Sequence, residues 1–210
     1  MAHQQESSLA VRACRRWLAR ARHALHRREY ENDTVLSMVF FTACFCINLL
    51  AVQYASDHVS NYVTDIVLSN IPVFDVDGLF VYGTFVFTAF VLALMLAHPK
   101  RIPFMLNSLG LLWLIRSAFT SLTHIAPYPQ HTAIAFGPAI TKVFFGGDLF
   151  FSGHTATPVL FALIFWRRPI LRFAFLLWAV FFATVVLLGH LHYSIDVAAA
   201  FFITYTIYEI

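Results

Sequence analysis

Two short polar stretches interrupt an otherwise apolar sequence, and they contain side chains that can act as nucleophiles, acids and bases. The first includes Ser152, Gly153 and His154, and the second includes His192 and Asp196. Ionisable side chains are costly to bury in membrane-type sequence and are kept mainly where they face an internal cavity and act there. Both stretches are therefore candidate functional sites.

The spacing of His192 and Asp196 is that of two residues one helical turn apart on the same face of an α-helix. A carboxylate in that position can accept a hydrogen bond from one imidazole nitrogen and fix the tautomer. The other nitrogen then becomes a better nucleophile or base. The alternative is a purely structural pair that caps a helix.

The stretch around His154 resembles the start of a helix, where backbone N–H groups and the helix dipole favour an anion such as phosphate. Two histidines, a carboxylate and such a helix end predict a phosphoryl-transfer site. In such a site one histidine attacks phosphorus, while the other, protonated, stabilises the departing alkoxide. The residues alone leave open which histidine, His154 or His192, has which role.

The composition is that of an integral membrane protein. Of the 210 residues, 60% are hydrophobic and 12% are charged, and the mean hydropathy is +0.71. A soluble domain of this size would carry about twice that share of charged residues. We therefore predict an all-α polytopic membrane protein, built as one compact bundle, with no nucleic-acid partner.

Six apolar runs are each near the ~20 residues that a helix needs to cross the hydrocarbon layer. The fourth run is short, and it can begin inside a protein-lined cavity where polar residues are tolerated. Asn48, within the first run, is predicted to form an interhelical hydrogen bond. The runs predict a six-transmembrane-helix bundle over residues 34–210, with spans at about 35–54, 79–97, 103–123, 152–166, 170–190 and 193–210.

Residues 1–33 form a basic N-terminal segment that holds seven of the 14 Lys and Arg residues. Apolar residues such as Trp17 and Leu25 recur among the arginines at helical spacing. This pattern indicates a cytoplasmic basic amphipathic helix lying on an anionic membrane face. The alternative is a solvated arm that only fixes the topology.

Positive charge falls on alternate loops along the chain. The loop at 55–78 contains four Asp residues and no Lys or Arg, whereas the next loop contains Lys100 and Arg101, and the fourth contains Arg167 and Arg168. By the positive-inside rule, both termini are cytoplasmic. The two polar stretches then share the non-cytoplasmic side, whether lumenal or periplasmic.

The two polar stretches also resemble known catalytic motifs. Ser152-Gly153-His154-Thr155 and His192-Tyr193-Ser194-Ile195-Asp196 are similar to the motifs of the type 2 phosphatidic acid phosphatase superfamily. The longer string from Gly147 to Thr155 is most similar to the sphingomyelin synthase branch, although the Cys usual before Gly-Asp is Gly146 here. The resemblance covers roughly residues 70–205 and includes the layout of six spans.

The resemblance implies a mechanism and partners. His192 would be the nucleophile that forms a phosphohistidine, Asp196 its orienting partner and His154 the general acid. In the synthase branch, phosphocholine or phosphoethanolamine passes from a glycerophospholipid donor to a ceramide acceptor, leaving diacylglycerol. Water as the acceptor would make the same site a phospholipase C, and a diacylglycerol-type lipid is a further acceptor.

No cofactor is predicted, and no metal, because the chain has neither a His-Glu-x-x-His motif nor a Cys cluster. The sequence makes no prediction of oligomeric state. Asp148 could cap a helix instead of binding substrate, Arg116 could bind lipid phosphate or pair with Asp148, and His124 could be an interface residue. The candidate substrate-binding residues are Arg116, His124, Asp148, Ser152, Gly153 and Tyr193.

One departure bears on the substrate. Phosphatases of the superfamily have a Lys-x6-Arg-Pro motif and an Arg ahead of the nucleophilic His. This chain has neither, and the residue six positions before His192, where that Arg is expected, is Val186. A phosphodiester carries a single negative charge and needs less cationic binding than a monoester dianion, so this favours head-group transfer. The alternative is a lipid phosphate phosphatase acting on phosphatidic acid or sphingoid phosphates. A transporter or scaffold whose polar residues line a passage is a third hypothesis.

Overall fold

The computed structural model describes residues 28–132 and 150–210, and within these ranges it is all-helical, with no strand. Six α-helices and one short 3₁₀ helix, Pro99–Arg101, lie in the described part of the chain. The predicted N-terminal amphipathic helix at 1–33 falls almost entirely outside it. The helices are α1 (Arg28–Asp57), α2 (Asp77–Ala97), α3 (Ile102–Leu122), α4 (Gly153–Ile164), α5 (Pro169–Leu188) and α6 (Ser194–Glu209).

Each of the six apolar runs corresponds to one of these helices. Four stretches in the described ranges are long and apolar enough to cross a membrane: Tyr30–Asp57, Asp77–Ala97, Pro99–Leu122 and Pro169–Leu188. They indicate an integral membrane protein. Helix α4, with 12 residues, and α6, with 16, are shorter, so a count of six membrane crossings stays a prediction.

Proline marks the start of three helical segments. Pro99 begins the 3₁₀ helix, Pro103 lies in the first turn of α3, and Pro169 is the first residue of α5. The N–H that proline lacks has no intrahelical acceptor at these positions, so the residue starts a helix without disturbing it. These starts separate α2 from α3 and α4 from α5 by short connections.

The helices form a bundle in which α4 is central. Helix α1 packs along α3, while α4 packs against α5 and α6 and also touches α3; α2 contacts α5. Gly110 permits the close approach of α1 to α3, because a Cβ there would lie 2.8 Å from the ring of Phe40. Aromatic side chains fill the core around α4 and α5, including the stacked pair Phe161 and Phe175.

The connections at one end of the bundle are hydrogen-bonded to each other. The N–H of Ser60 donates to the carbonyl of His124 at 2.7 Å, and the N–H of Thr132 donates to the carbonyl of Gly189 at 2.9 Å. The hydroxyl of Thr132 donates to the carbonyl of Phe74 at 2.6 Å. These bonds hold the α1–α2 connection, the segment after α3 and the α5–α6 connection together at the end where α6 begins.

Candidate active site

Helix α4 begins next to the first polar stretch. Ser152 is its N-cap, and the side-chain oxygen of Ser152 accepts a hydrogen bond from the N–H of Thr155 at 3.4 Å. The N–H of Ser152 donates to the carbonyl of Asp196 at 3.3 Å. The predicted helix start is confirmed, and this last bond joins it to the first turn of α6.

Helix α6 begins next to the second polar stretch, and its first turn is closed by Asp196. Oδ2 of Asp196 accepts a hydrogen bond from the N–H of Tyr193 at 2.9 Å. The same oxygen lies 3.6 Å from Nδ1 of His192. Asp196 is fully buried and His192 is 7% exposed. The carboxylate therefore serves both the helix start and the imidazole.

The geometry of this pair differs from the expected helical face. Helix α6 starts at Ser194 with Tyr193 as its N-cap, so His192 precedes the helix. The two side chains meet because the carboxylate of Asp196 folds back over the first turn, as helix-capping acidic residues do. The separation of 3.6 Å is longer than a hydrogen bond, and catalytic contacts of this kind often tighten when substrate binds.

The orientation of His192 assigns different roles to its two nitrogens. Nδ1 faces the carboxylate of Asp196, which favours the tautomer with its proton on Nδ1. Nε2 is then the nitrogen that carries the lone pair. That lone pair can act as a nucleophile or as a base.

His154, the second residue of α4, lies between aromatic side chains. Its ring centroid is 4.5 Å from that of Phe80 and 5.6 Å from that of Phe182. His154 lies two residues after Ser152, whose N–H donates to the carbonyl of Asp196 at 3.3 Å, so the start of α4 lies against the first turn of α6. The structure thus brings the two histidine motifs, which are distant in sequence, into one site.

Arg116 connects this site to two other helices. It is 4% exposed, and its Nε donates to the carbonyl of Phe151 at 3.1 Å. Nη1 donates to Oδ1 of Asn48 at 3.2 Å, which confirms the predicted interhelical bond of Asn48. Arg116 therefore holds the backbone that leads into α4. Its predicted alternative partner, Asp148, lies outside the described residues.

Gly153 permits this close approach. A Cβ at position 153 would lie 3.2 Å from Nε of Arg116 and 3.4 Å from the ring of Trp113. The guanidinium of Arg116 itself lies over the Trp113 ring, 5.6 Å from its centroid. A side chain at Gly153 would therefore push against the arginine or displace the start of α4.

Tyr193 and His124 have other contacts in the described part of the chain. The hydroxyl of Tyr193 donates to the carbonyl of Ala126 at 2.8 Å and accepts from the N–H of Val63 at 3.4 Å. The ring of His124 lies 5.3 Å from that of Tyr54. Tyr193 thus fastens the loops to the start of α6. Substrate binding by either residue stays a prediction.

Asp65 was not recognised as a site residue from the sequence. It lies in the α1–α2 connection, and its Oδ2 accepts a hydrogen bond from the N–H of Ser194 at 2.7 Å. Burial raises the pKa of Asp65. Hydrogen bonds from the N–H groups of Ser194, Leu68 and Val67 and from the Ser194 side chain lower it by more, so the net pKa lies below the usual value of 3.8. An acidic residue before a turn is a weak local signal, and nothing in the sequence indicates its distant partner.

No group of three or more His, Cys, Asp and Glu side chains that could hold a metal ion occurs within residues 28–132 and 150–210. The chemical groups that the described site does supply are two imidazoles, a buried carboxylate and a guanidinium. Together they can attack, protonate and stabilise a phosphate ester.

Comparison with known proteins bears on the same region. A protein-family model described as PAP2 superfamily C-terminal matches residues 146–210, a region that contains both histidine motifs and helices α4 to α6. No curated protein matches the chain. Members of the superfamily are generally phosphatases and phosphotransferases, so the match supports an enzyme that acts on lipid substrates. This part of the chain, 65 of the 210 residues, is similar to the C-terminal domain of the PAP2 superfamily.

Proposed function

We propose that the protein is a membrane phospholipid head-group phosphotransferase that works through a phosphohistidine. It would move phosphocholine or phosphoethanolamine from a glycerophospholipid to ceramide, or to water as a phospholipase C, and release diacylglycerol. The observation that carries this proposal is the buried pair of His192 and Asp196, 3.6 Å apart, with the start of α4, which carries His154, hydrogen-bonded to Asp196 through the N–H of Ser152 at 3.3 Å.

In the first step, Nε2 of His192 attacks phosphorus and forms the N–P bond. The bond between phosphorus and the glycerol oxygen breaks, and the departing oxygen takes a proton from His154, whose imidazolium form is stabilised by the negative charge of the bound phosphodiester. Diacylglycerol leaves and His154 becomes neutral. The Asp196 carboxylate stabilises the positive charge that develops on His192.

In the second step, the hydroxyl oxygen of the acceptor attacks phosphorus while neutral His154 takes the hydroxyl proton. The N–P bond breaks, which restores neutral His192 and protonated His154. The acceptor, whether ceramide or water, now carries the head-group phosphate. One residue thus acts as acid in the first step and as base in the second.

The charge of the site suits a diester. Arg116 contributes a buried positive charge beside His154, and the first turn of α4 adds the positive end of the helix dipole. A phosphodiester has a single negative charge, whereas a phosphomonoester can carry two. This supports head-group transfer over the alternative, hydrolysis of phosphatidic acid or a sphingoid phosphate.

The test is a product analysis of the detergent-purified protein. Phosphatidylcholine, phosphatidylethanolamine and phosphatidic acid are each supplied with and without ceramide, and products are identified by mass spectrometry. We expect diacylglycerol together with a ceramide phosphodiester. Diacylglycerol with free phosphocholine or phosphoethanolamine would indicate a phospholipase C.

Consumption of phosphatidic acid alone, with release of inorganic phosphate, would replace the proposal with the phosphatase. Lipid binding without turnover of any of the three would contradict an enzymatic function. It would favour a transporter or scaffold instead.

A further inference from the structure

Asp65 is a buried carboxylate that takes no part in the steps described above. It is 7% exposed. Its Oδ1 accepts hydrogen bonds from the N–H groups of Val67 at 2.8 Å and Leu68 at 3.1 Å, which form a local turn. Its Oδ2 accepts from the N–H of Ser194 at 2.7 Å, across 129 residues of sequence. One oxygen therefore shapes the loop, and the other reaches the start of α6.

The start of α6 has two adjacent backbone donors, and each binds a different carboxylate. The N–H groups at a helix start have no intrahelical acceptor and need another partner. The N–H of Tyr193 donates to Oδ2 of Asp196 at 2.9 Å, and the N–H of Ser194 donates to Asp65. The Asp196 oxygen that binds Tyr193 is also the one that faces His192.

Removal of Asp65 would leave the partly buried Ser194 N–H without its protein acceptor, which is unfavourable. Asp196 lies on the same helical turn, and its Oδ1 is buried without a hydrogen-bond partner among the described residues. Rotation of that carboxylate toward Ser194 would satisfy the donor but would move Asp196 away from His192.

We propose that Asp65 is a positioning residue, which binds the Ser194 N–H and so keeps Asp196 directed at His192. The inference rests on the proposed function of the His192 site and adds a residue that acts on it indirectly. The connection that carries Asp65 is fastened to the same segment at a second point, because the N–H of Val63 donates to the Tyr193 hydroxyl at 3.4 Å. Leu68 also packs against Tyr193.

The first variant is Asp65→Asn, which keeps the shape of the side chain but replaces one of its two acceptor oxygens by an NH2 group. Backbone N–H donors lie on both sides of the side chain, so the NH2 group would face one of them and could not accept its hydrogen bond. We expect kcat for the head-group substrate to fall by roughly tenfold to a hundredfold, the scale of a mispositioned catalytic group, with KM unchanged. Asp57→Asn is the matched control, because Asp57 is exposed and accepts from Gln53 on its own helix at 2.7 Å.

A second pair of variants separates positioning from general structural support. Ser194→Pro removes the donor itself, and proline is well tolerated at the first position of a helix. The preceding residue, Tyr193, has φ −71° and ψ 156°, a conformation that a following proline favours. Ser194→Ala is the reference, because both variants lack the hydroxyl and only the proline lacks the N–H.

In the Ser194→Ala background, Asp65→Asn should lower kcat by the full tenfold to hundredfold. In the Ser194→Pro background, where no backbone N–H competes for Asp196, it should lower kcat by roughly twofold or less. An equal loss in both backgrounds would mean that Asp65 supports the fold in general, and it would overturn the proposal. If Ser194→Pro does not fold, the kcat and KM of Asp65→Asn decide alone. A loss confined to KM, or no loss, would then reject the proposal.

The same assay, loss of phosphatidylcholine, phosphatidylethanolamine and phosphatidic acid from mixed micelles, is run on His192→Ala. An inactive His192→Ala with a fully active Asp65→Asn would refute the role of Asp65 and leave the proposed function standing. An active His192→Ala would refute the proposed function itself.

Discussion

At the scale of single residues, His192, Asp196 and His154 have separate tasks in the proposed reaction. Nδ1 of His192 faces Asp196, so the proposal assigns the attack on phosphorus to Nε2. His154 lies on α4, whereas His192 precedes α6. An acid held apart from the nucleophile can protonate the leaving oxygen on the opposite side of the phosphorus atom.

We predict that His154→Ala, His192→Ala and Asp196→Asn each abolish phospholipid turnover while the folded yield stays normal. The first two remove the proposed acid and nucleophile, and loss of an acid–base group typically costs about 10²–10⁴-fold. Diacylglycerol release measures the effect. His131→Ala is the control, because His131 is exposed and its ring bonds the carbonyl of Tyr128. Normal turnover in any of the three variants would remove that residue from the mechanism.

Asn48 allows a second prediction at this scale. Its Oδ1 accepts from Nη1 of buried Arg116, and hydrogen bonds to charged groups contribute about 1.5–3 kcal/mol. Asn48→Ala should therefore lower the free energy of unfolding in detergent by about that amount. Thr42→Ala on the same helix is the control, since Thr42 is exposed and bonds only the carbonyl of Met38 in its own helix among the described contacts. Equal stability of the two variants would show that the Arg116 bond contributes little.

At the scale of helices, the site depends on how closely the elements approach one another. Helix α4 carries His154, α6 carries Asp196, and α3 carries Arg116, which holds the backbone just before α4. Helix α1 packs along α3. Packing between α1 and α3 therefore determines the position of Arg116 relative to the start of α4.

Gly110 tests this packing. A Cβ there would lie 2.8 Å from the Phe40 ring and 3.3 Å from the Cα of Phe41, so Gly110→Ala should force α1 and α3 apart and cost about 1–3 kcal/mol of stability. The control is Gly78→Ala in α2, where the nearest atom is a side-chain carbon of Tyr82 at 3.9 Å. That variant should be neutral or stabilising by up to about 1 kcal/mol, because Ala is the better helix former. A thermal melt in detergent compares the two, and equal effects would contradict the packing account.

At the scale of the whole molecule, the proposed topology places the candidate site on the non-cytoplasmic side. In a variant lacking Cys14, Cys44 and Cys46, we predict that Asn70→Cys reacts with an impermeant maleimide from outside. Both positions are exposed, so both cysteines can react. Lys100→Cys should react only after permeabilisation, because it lies at the cytoplasmic end of the predicted spans and Asn70 lies at the opposite end. Reversed labelling would place the site in the cytoplasm and would refute the orientation.

Much of the architecture follows from local pattern. Six apolar runs predict the six described helices to within a few residues at most ends, because helix length and hydropathy depend on neighbouring residues. The start of α4 after its N-cap Ser152 was predictable from the local sequence as well. An interhelical hydrogen bond of Asn48 was expected because an amide within an apolar run needs a polar partner. The first helix begins at Arg28, earlier than its apolar run, because polar residues extend the helix beyond the hydrophobic segment.

The remaining features depend on contacts between distant residues. His192 lies before α6 and not on its face, because Asp196 uses the same carboxylate to close the first turn. Asp65 reaches Ser194 across 129 residues, and Tyr193 bonds the loop at Ala126. The periodicity of the sequence does not predict such hydrogen bonds, because they form only when the loops pack over the start of a helix.

The most direct measurement for the central claim is detection of the covalent intermediate. Purified protein is mixed with phosphatidylcholine, quenched in alkali to preserve a phosphorus–nitrogen bond, digested and examined by mass spectrometry. The proposal predicts a phosphocholine adduct on His192 that is absent from His192→Ala. Turnover of phosphatidylcholine with no adduct, or with unchanged activity in His192→Ala, would contradict it.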